Sequence, residues 1–130
     1  MADTRRTPLV TTLIVLMVCE TVFVVGFTVI LTLQFAAQSA EFPVTAVAFL
    51  ICAVLVGIWM AATVIGLVRA RAWTRGSVLT YHFLQLAVGV GSLQGFVPRP
   101  DIASWIIIPS VAGIVLILTP TLVDYLRERD

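Results

Sequence analysis

The residue most able to do chemistry in this sequence is an acid inside an apolar stretch. Glu20 is the only charged residue between Pro8 and Leu33. An ionised carboxylate in hydrocarbon costs at least about 3 kcal/mol, so this side chain should face other protein and be neutral or paired. Two interpretations follow. Glu20 binds a proton or a cation, or it is a protonated hydrogen-bond donor that fixes helix packing.

Candidate partners for Glu20 form a polar stripe in the third apolar stretch. At 3.6 residues per turn, one arc of about 100° holds Tyr81, His82, Gln85, Gly89 and Ser92. Counting about 1.5 Å per residue inward from the preceding arginines places Gly89 at the depth of Glu20. We therefore predict that Gln85 or Ser92 binds the carboxyl and that Gly89 makes room for it. On the same count His82 lies about 10 Å nearer the arginines, too far for contact. It is interpreted as a structural hydrogen-bonding residue, with functional protonation as the alternative.

Composition indicates what must position these residues. Of the 130 residues, 60% are hydrophobic and 12% charged, and the mean hydropathy is +1.08. A soluble domain of this size needs about a quarter of its residues charged, so lipid is the expected solvent. The prediction is an all-α integral membrane bundle of four transmembrane helices forming a single domain. The helices are expected at about residues 8–33, 43–68, 76–95 and 102–119, followed by an amphipathic cytoplasmic tail over 120–130.

Arginine distribution predicts the orientation. Seven arginines lie in the N-terminus, the central loop and the tail, against Arg99 alone on the other side. The positive-inside bias therefore places both termini in the cytoplasm. All eight basic residues are arginine, which is typical of G+C-rich bacterial genomes, so the expected location is a bacterial inner membrane. Asp101 is expected to cap the fourth helix.

Small residues in the second helix predict close helix packing. Ala53, Gly57 and Ala61 recur at four-residue spacing, which lets helix backbones approach where hydrophobicity cannot drive association. The face could pack within the chain, or it could receive a partner subunit or a second copy. Gly57 should tolerate a large side chain less well than Gly66. The two cysteines, Cys19 and Cys52, are expected to be small buried hydrophobic residues.

Several classes of chemistry find no support in the sequence. With one histidine and one acid inside the apolar stretches, a haem or dinuclear metal site is not expected. There is no phosphate-binding glycine loop and no nucleophile–base pair. A net charge of +1 gives no electrostatic footprint for nucleic acid. We expect no cofactor, no metal and no enzyme activity.

Two resemblances accompany this interpretation. The stretch RARAWTRGSVLTYHFLQLAVGVGSLQ, residues 69–94, resembles small four-helix integral membrane proteins of actinobacteria. That family has no established activity, so the resemblance implies a fold. As a short four-helix chain with a glutamate in helix one, the sequence also resembles small multidrug resistance transporters, where Glu20 would be the essential acid. It departs from them in its seven-to-one arginine bias and in lacking their aromatic pattern.

The function expected from these observations is non-enzymatic. The leading hypothesis is an accessory or structural subunit of a larger membrane assembly, or a homo-oligomer. The alternative is a proton-coupled small transporter or channel in which Glu20 titrates.

Overall fold

The structure is a computed structural model that describes residues 7–37, 43–94 and 98–127. Five helices occupy these ranges: α1 (Pro8–Ala37), α2 (Pro43–Val68), α3 (Trp73–Gln94), α4 (Pro100–Leu118) and α5 (Pro120–Arg127). The all-α prediction is confirmed. Residues 1–6, 38–42, 95–97 and 128–130 lie outside the described residues.

Three of the helices are long and apolar enough to cross a membrane, which indicates a membrane protein. They are α1, α2 and α4. A helix of 19 residues is about 29 Å long, close to the thickness of the hydrocarbon core. α3 is not among them because its polar stripe and Arg75 lower its mean hydropathy.

The helix ends differ from the predicted ones in informative places. α1 continues to Ala37, beyond the predicted Leu33, and α3 begins at Trp73, before the predicted Gly76. Asp101 does not cap α4, since Pro100 is its first residue and Arg99 stands at the N-cap without a side-chain hydrogen bond. Asp101 instead lies in the first turn, where its carboxylate accepts two hydrogen bonds from the Arg99 guanidinium.

A tight turn connects α2 to α3. Ala70 has a positive φ of 52°, the Ala70 N–H donates to the Leu67 carbonyl, and the Arg71 N–H donates to the Gly66 carbonyl. This pair of bonds is the Schellman pattern that closes many helix C-termini. It reverses the chain within a few residues, so α3 starts directly against the end of α2.

The bundle consists of two helix hairpins, α1 with α2 and α3 with α4, with most contacts inside each hairpin. We call the end where α1 and α3 begin and α2 and α4 finish the packed end, and the opposite end the open end. Most of the buried core lies toward the packed end, where α5 also folds against the helices. The buried hydrophobic residues of this core are Val10, Leu13, Met17, Met60, Leu67, Ala70, Val78, Ile117, Leu122, Tyr125 and Leu126.

Polar contacts reinforce the junction between the hairpins at the packed end. The Thr63 hydroxyl donates to the carbonyl of Trp59 at 2.8 Å, so its oxygen accepts the Ser77 hydroxyl at 2.6 Å. The Tyr125 hydroxyl of α5 lies 3.3 Å from the carbonyls of Leu67 and Val68 in the last turn of α2. These bonds join α2 to α3 and to α5 at the packed end.

A buried carboxylate–imidazole site

Glu20 faces protein, as predicted. It continues the buried stripe of α1 formed by Val10, Leu13 and Met17, residues spaced three or four apart that share one helical face. Only 8% of Glu20 is exposed. The same helical periodicity that packs α1 against the core therefore carries its one acid into the interior.

The predicted contact with Gln85 is present. The Gln85 amide Nε2 donates to Glu20 Oε1 at 2.9 Å, joining α3 to α1. Gln85 is twelve residues into α3, and Glu20 is twelve residues into α1. Both therefore lie about 18 Å from the starts of their helices, at equal depth.

The prediction that His82 is too far from Glu20 is wrong. His82 Nε2 lies 3.3 Å from Glu20 Oε2. The depth count failed because Arg6 and Arg75 are not equivalent markers: α1 begins after Arg6, whereas α3 begins before Arg75. Counted from the helix starts, His82 and Glu20 differ by about 4.5 Å in depth, which two long side chains can span.

The His82 imidazole is fully buried and held on several sides. Its Nδ1 lies 2.8 Å from the carbonyl of Val78, one turn earlier in α3. Gly113 of α4 lies directly against the ring, in contact with Nε2, Cδ2 and Cε1, where any side chain would collide. The Tyr81 ring lies edge-on to it at a centroid distance of 5.2 Å. No role for Gly113 is predicted from the sequence, where it is only a small residue in an apolar stretch.

This geometry determines where the protons can be. A carbonyl oxygen can only accept, so Nδ1 of His82 carries a hydrogen. Nε2 is then either a lone pair or a second N–H. His82 Nε2 faces Glu20 Oε2, and a single proton can lie between these two atoms. If the proton is on Glu20, a neutral acid meets a neutral imidazole. If it is on His82, a carboxylate meets an imidazolium. With no proton, two lone pairs would oppose each other in a buried site, which is unfavourable.

Three buried polar atoms of this cluster have no hydrogen-bond partner among the described residues: Glu20 Oε2, His82 Nε2 and Gln85 Oε1. Unpaired buried polar atoms are costly, about 1–3 kcal/mol each, and are rare in folded proteins. At 3.3 Å, Oε2 and Nε2 are slightly farther apart than in an ordinary hydrogen bond. The pair is positioned to bind a proton that would satisfy both atoms.

The remaining predicted partners of Glu20 do other things. Ser92 donates its hydroxyl to the Val88 carbonyl in its own helix. Gly89 is buried, but it makes room for Ile106 and Ile107 of α4 and not for the carboxyl. Both lie one or two turns beyond Gln85, since the depth count placed α3 too far toward the packed end relative to α1.

The predicted small-residue face of α2 is only partly buried. Gly57 is buried, and a Cβ added to it would meet Val25 of α1 at an ordinary 3.6 Å. Ala53 is half-buried and Ala61 is exposed. The closest approach on α2 is instead at Gly66, where an added Cβ would lie 2.6 Å from the Thr74 methyl group. The expectation that Gly57 is more constrained than Gly66 is therefore reversed.

Cysteine and metal chemistry is peripheral to the site. Cys19 and Cys52 are exposed on the helix surfaces, contrary to the expectation that they are buried. Within residues 7–37, 43–94 and 98–127, no three histidine, cysteine, aspartate or glutamate side chains are grouped to hold a metal ion. The cluster of Glu20, His82 and Gln85 is the candidate functional site.

Comparison with known proteins adds no family: no family model, no curated protein and no solved structure matches this chain.

Proposed function

We propose that the protein crosses a bacterial inner membrane four times, and that α3 crosses it in addition to α1, α2 and α4. α3 has 22 residues, about 33 Å, which is sufficient for the hydrocarbon core. Its buried side includes Thr74 and His82, and its exposed large hydrophobic residues are Trp73, Phe83, Leu84, Val88, Val90 and Leu93. Polar groups turned inward and apolar groups turned outward suit a helix surrounded partly by lipid.

The same proposal places the packed end in the cytoplasm. The arginine-bearing segment of residues 69–75, which comprises the turn after α2 and the start of α3, lies at that end, and short basic segments are retained inside. Reporter fusions after Asp130 and within this segment should both read cytoplasmic, and a fusion near Ser39 should read external. An external C-terminus would contradict four crossings.

We further propose that the protein binds a proton between Glu20 and His82 and works as a proton-coupled small transporter or channel. The observation that carries this proposal is the 3.3 Å approach of Glu20 Oε2 to His82 Nε2, both buried and without another partner. Ionisable groups placed inside a membrane commonly mark proton or ion pathways. Tyr81 is the other titratable side chain beside the pair. α2 and α4 add only Cys52 and Asp101, both exposed and the latter bound to Arg99.

Proton uptake by the purified protein tests this proposal without knowledge of a substrate. Detergent-solubilised protein in weakly buffered solution is acidified, and an indicator dye counts the protons taken up. We expect the wild type to take up more protons than Glu20→Gln, while Thr21→Val matches the wild type. Thr21 is a suitable control because its hydroxyl binds the Met17 carbonyl and not the site. Equal uptake by wild type and Glu20→Gln would overturn the proposal.

A second candidate function is a non-enzymatic accessory subunit that binds another membrane protein or its own copy. The observation that favours it is Ala61, a small residue of the predicted packing face that stays exposed in the chain. Ala61→Leu should then abolish copurification of a stoichiometric partner, and Ala48→Leu, exposed on the opposite face of α2, should not. Copurification unaffected by Ala61→Leu would remove this face from the proposal.

A further inference from the structure

The interior between the Glu20–His82 pair and the packed end is filled with apolar side chains. Six of them have no solvent exposure at all: Val10, Leu13, Met17, Leu67, Val78 and Ile117. Met17 lies one turn from Glu20 on the same face of α1, and Val78 lies one turn from His82 on α3. The polar side chains buried on this side are hydroxyls already bound to each other or to backbone carbonyls, Thr63 to Ser77 and Trp59 and Thr74 to Arg71. The described residues therefore offer a proton no continuous polar path from the site to the packed end.

α5 closes the packed end. It turns back after Thr119, whose extended backbone (ψ 142°) separates it from α4. Leu122, Tyr125 and Leu126 are buried against the core, and the Tyr125 hydroxyl is bound to the last carbonyls of α2. This helix therefore lies across the interior as a cover for the apolar core.

The interior toward the open end is different. In the described parts of the four long helices on that side of the site, the buried residues are all small: Thr28, Gly57, Gly89 and Ala103. The space beside Gly89 is occupied by Ile106 and Ile107 of the same hairpin. The Glu20–Gln85 bond is the side-chain hydrogen bond between hairpins that lies farthest from the packed end. Among the described residues beyond this bond, no large apolar side chain is fully buried.

We infer that protons reach the Glu20–His82 pair from the open end alone, and that the apolar core with α5 blocks access from the packed end. This inference rests on the proposed function, because it concerns the access route to the same proton site. It makes the pair responsive to the pH on one side of the membrane, the external side in the proposed orientation. It does not depend on which substrate, if any, moves with the proton.

Cysteine labelling in oriented vesicles tests the route. Thr28 and Thr63 form a matched pair, since both are buried threonines whose hydroxyls bind the carbonyl four residues earlier. Thr28 lies on the open side of Glu20 and Thr63 on the packed side. Each is changed to cysteine in a chain without Cys19 and Cys52, and a charged, membrane-impermeant thiol reagent is added to one face at a time.

We expect Thr28→Cys to be labelled only from the open-end side and Thr63→Cys to be labelled from neither side. Native Cys19, exposed on the helix surface next to Glu20, is the lipid-facing control and should remain unlabelled. Folding of each variant is checked by its proton uptake, which should equal that of the wild type.

Labelling of Thr63→Cys from the packed-end side, or no labelling of Thr28→Cys, would overturn one-sided access. The proton-binding proposal would survive either result as long as Glu20→Gln still takes up fewer protons than the wild type. Equal proton uptake by Glu20→Gln would instead overturn the proposed function. Labelling of Cys19 would contradict the placement of this helix surface in lipid.

Discussion

The two ends of the bundle are packed differently, although the same four helices form both. Toward the packed end, large apolar side chains from α1, α2, α3, α4 and α5 meet with no exposed surface. Toward the open end, the buried residues are small, and the approaches of neighbouring helices at Gly57 and Gly89 are each made within one hairpin. The Glu20–His82 pair lies where one kind of packing gives way to the other.

The difference in packing between the two ends explains how an acid can lie so deep in the bundle. The apolar core fixes the depth of α1 and α3 relative to each other, so that Glu20, Gln85 and His82 meet at hydrogen-bonding distance. In the proposed access route, the smaller buried residues on the other side let the pair exchange a proton. A core packed at both ends would bury the same atoms without access.

The largest effect is expected from truncating a buried side chain of α5 at the packed end. Leu122 is fully buried against the core, and Leu122→Ala should lower the free energy of unfolding by about 2–5 kcal/mol through lost contacts and a cavity. Leu118→Ala is the matched control because Leu118 is half exposed. Unfolding in mixed detergent measures both. Equal losses at the two leucines would show that α5 does not cover the core.

A clash at the site should come next. Gly113→Ala places a methyl group where the buried His82 ring lies, so the ring or α4 must shift. Overpacking of this kind costs about 1–3 kcal/mol, and here it should also reduce proton uptake. Gly91→Ala, with nothing within 4 Å of the added carbon, should change neither quantity. Wild-type uptake by Gly113→Ala would separate the ring position from proton binding.

Gly66 and Gly57 compare the two ends along one helix. Gly66→Ala would bring a methyl group to 2.6 Å from Thr74 and 2.7 Å from Trp73, so it should cost about 1–3 kcal/mol. Gly57→Ala makes only an ordinary contact with Val25 and should be tolerated. Denaturation of both variants in the same detergent gives the comparison. A larger loss at Gly57 would restore the interpretation drawn from the sequence.

The smallest effect is expected from the tyrosine hydroxyl that joins α5 to α2. Tyr125→Phe removes the donor shared by the Leu67 and Val68 carbonyls at 3.3 Å. The bonds are long, so the loss should be about 1 kcal/mol, measured as a lower unfolding midpoint with an unchanged fold. A loss as large as that of Leu122→Ala would mean that hydrogen bonding, and not apolar packing, holds the packed end together.

Much of the fold could be predicted because the physical signal is strong. Apolar stretches of sufficient length mark α1, α2 and α4, and α2 has the predicted ends, Pro43 and Val68. The stripe on α3 correctly indicated Gln85 as a partner of Glu20, since helical periodicity depends only on spacing. Orientation in the membrane stays a prediction, since it depends on charges outside the helices.

The errors came from assuming where helices begin. Arg75 lies inside α3 and is not a marker of its start, so a depth count from Arg75 displaces His82 from Glu20 by about one helical turn. The tolerance of Gly66 was misjudged for a related reason. Its neighbour is the start of α3, which the tight turn at Ala70 brings back against α2. Such contacts depend on turn geometry, which hydropathy does not encode.

The most direct test of the shared proton is nitrogen NMR of the imidazole. His82 is the only histidine in the chain, so labelling histidine with ¹⁵N gives one unambiguous pair of signals. We predict that Nδ1 carries a hydrogen bound to the Val78 carbonyl, and that the Nε2 signal differs between the wild type and Glu20→Leu at the same pH. A wild-type imidazole with hydrogen on Nε2 and none on Nδ1, or an Nε2 signal unchanged in Glu20→Leu, would contradict the account.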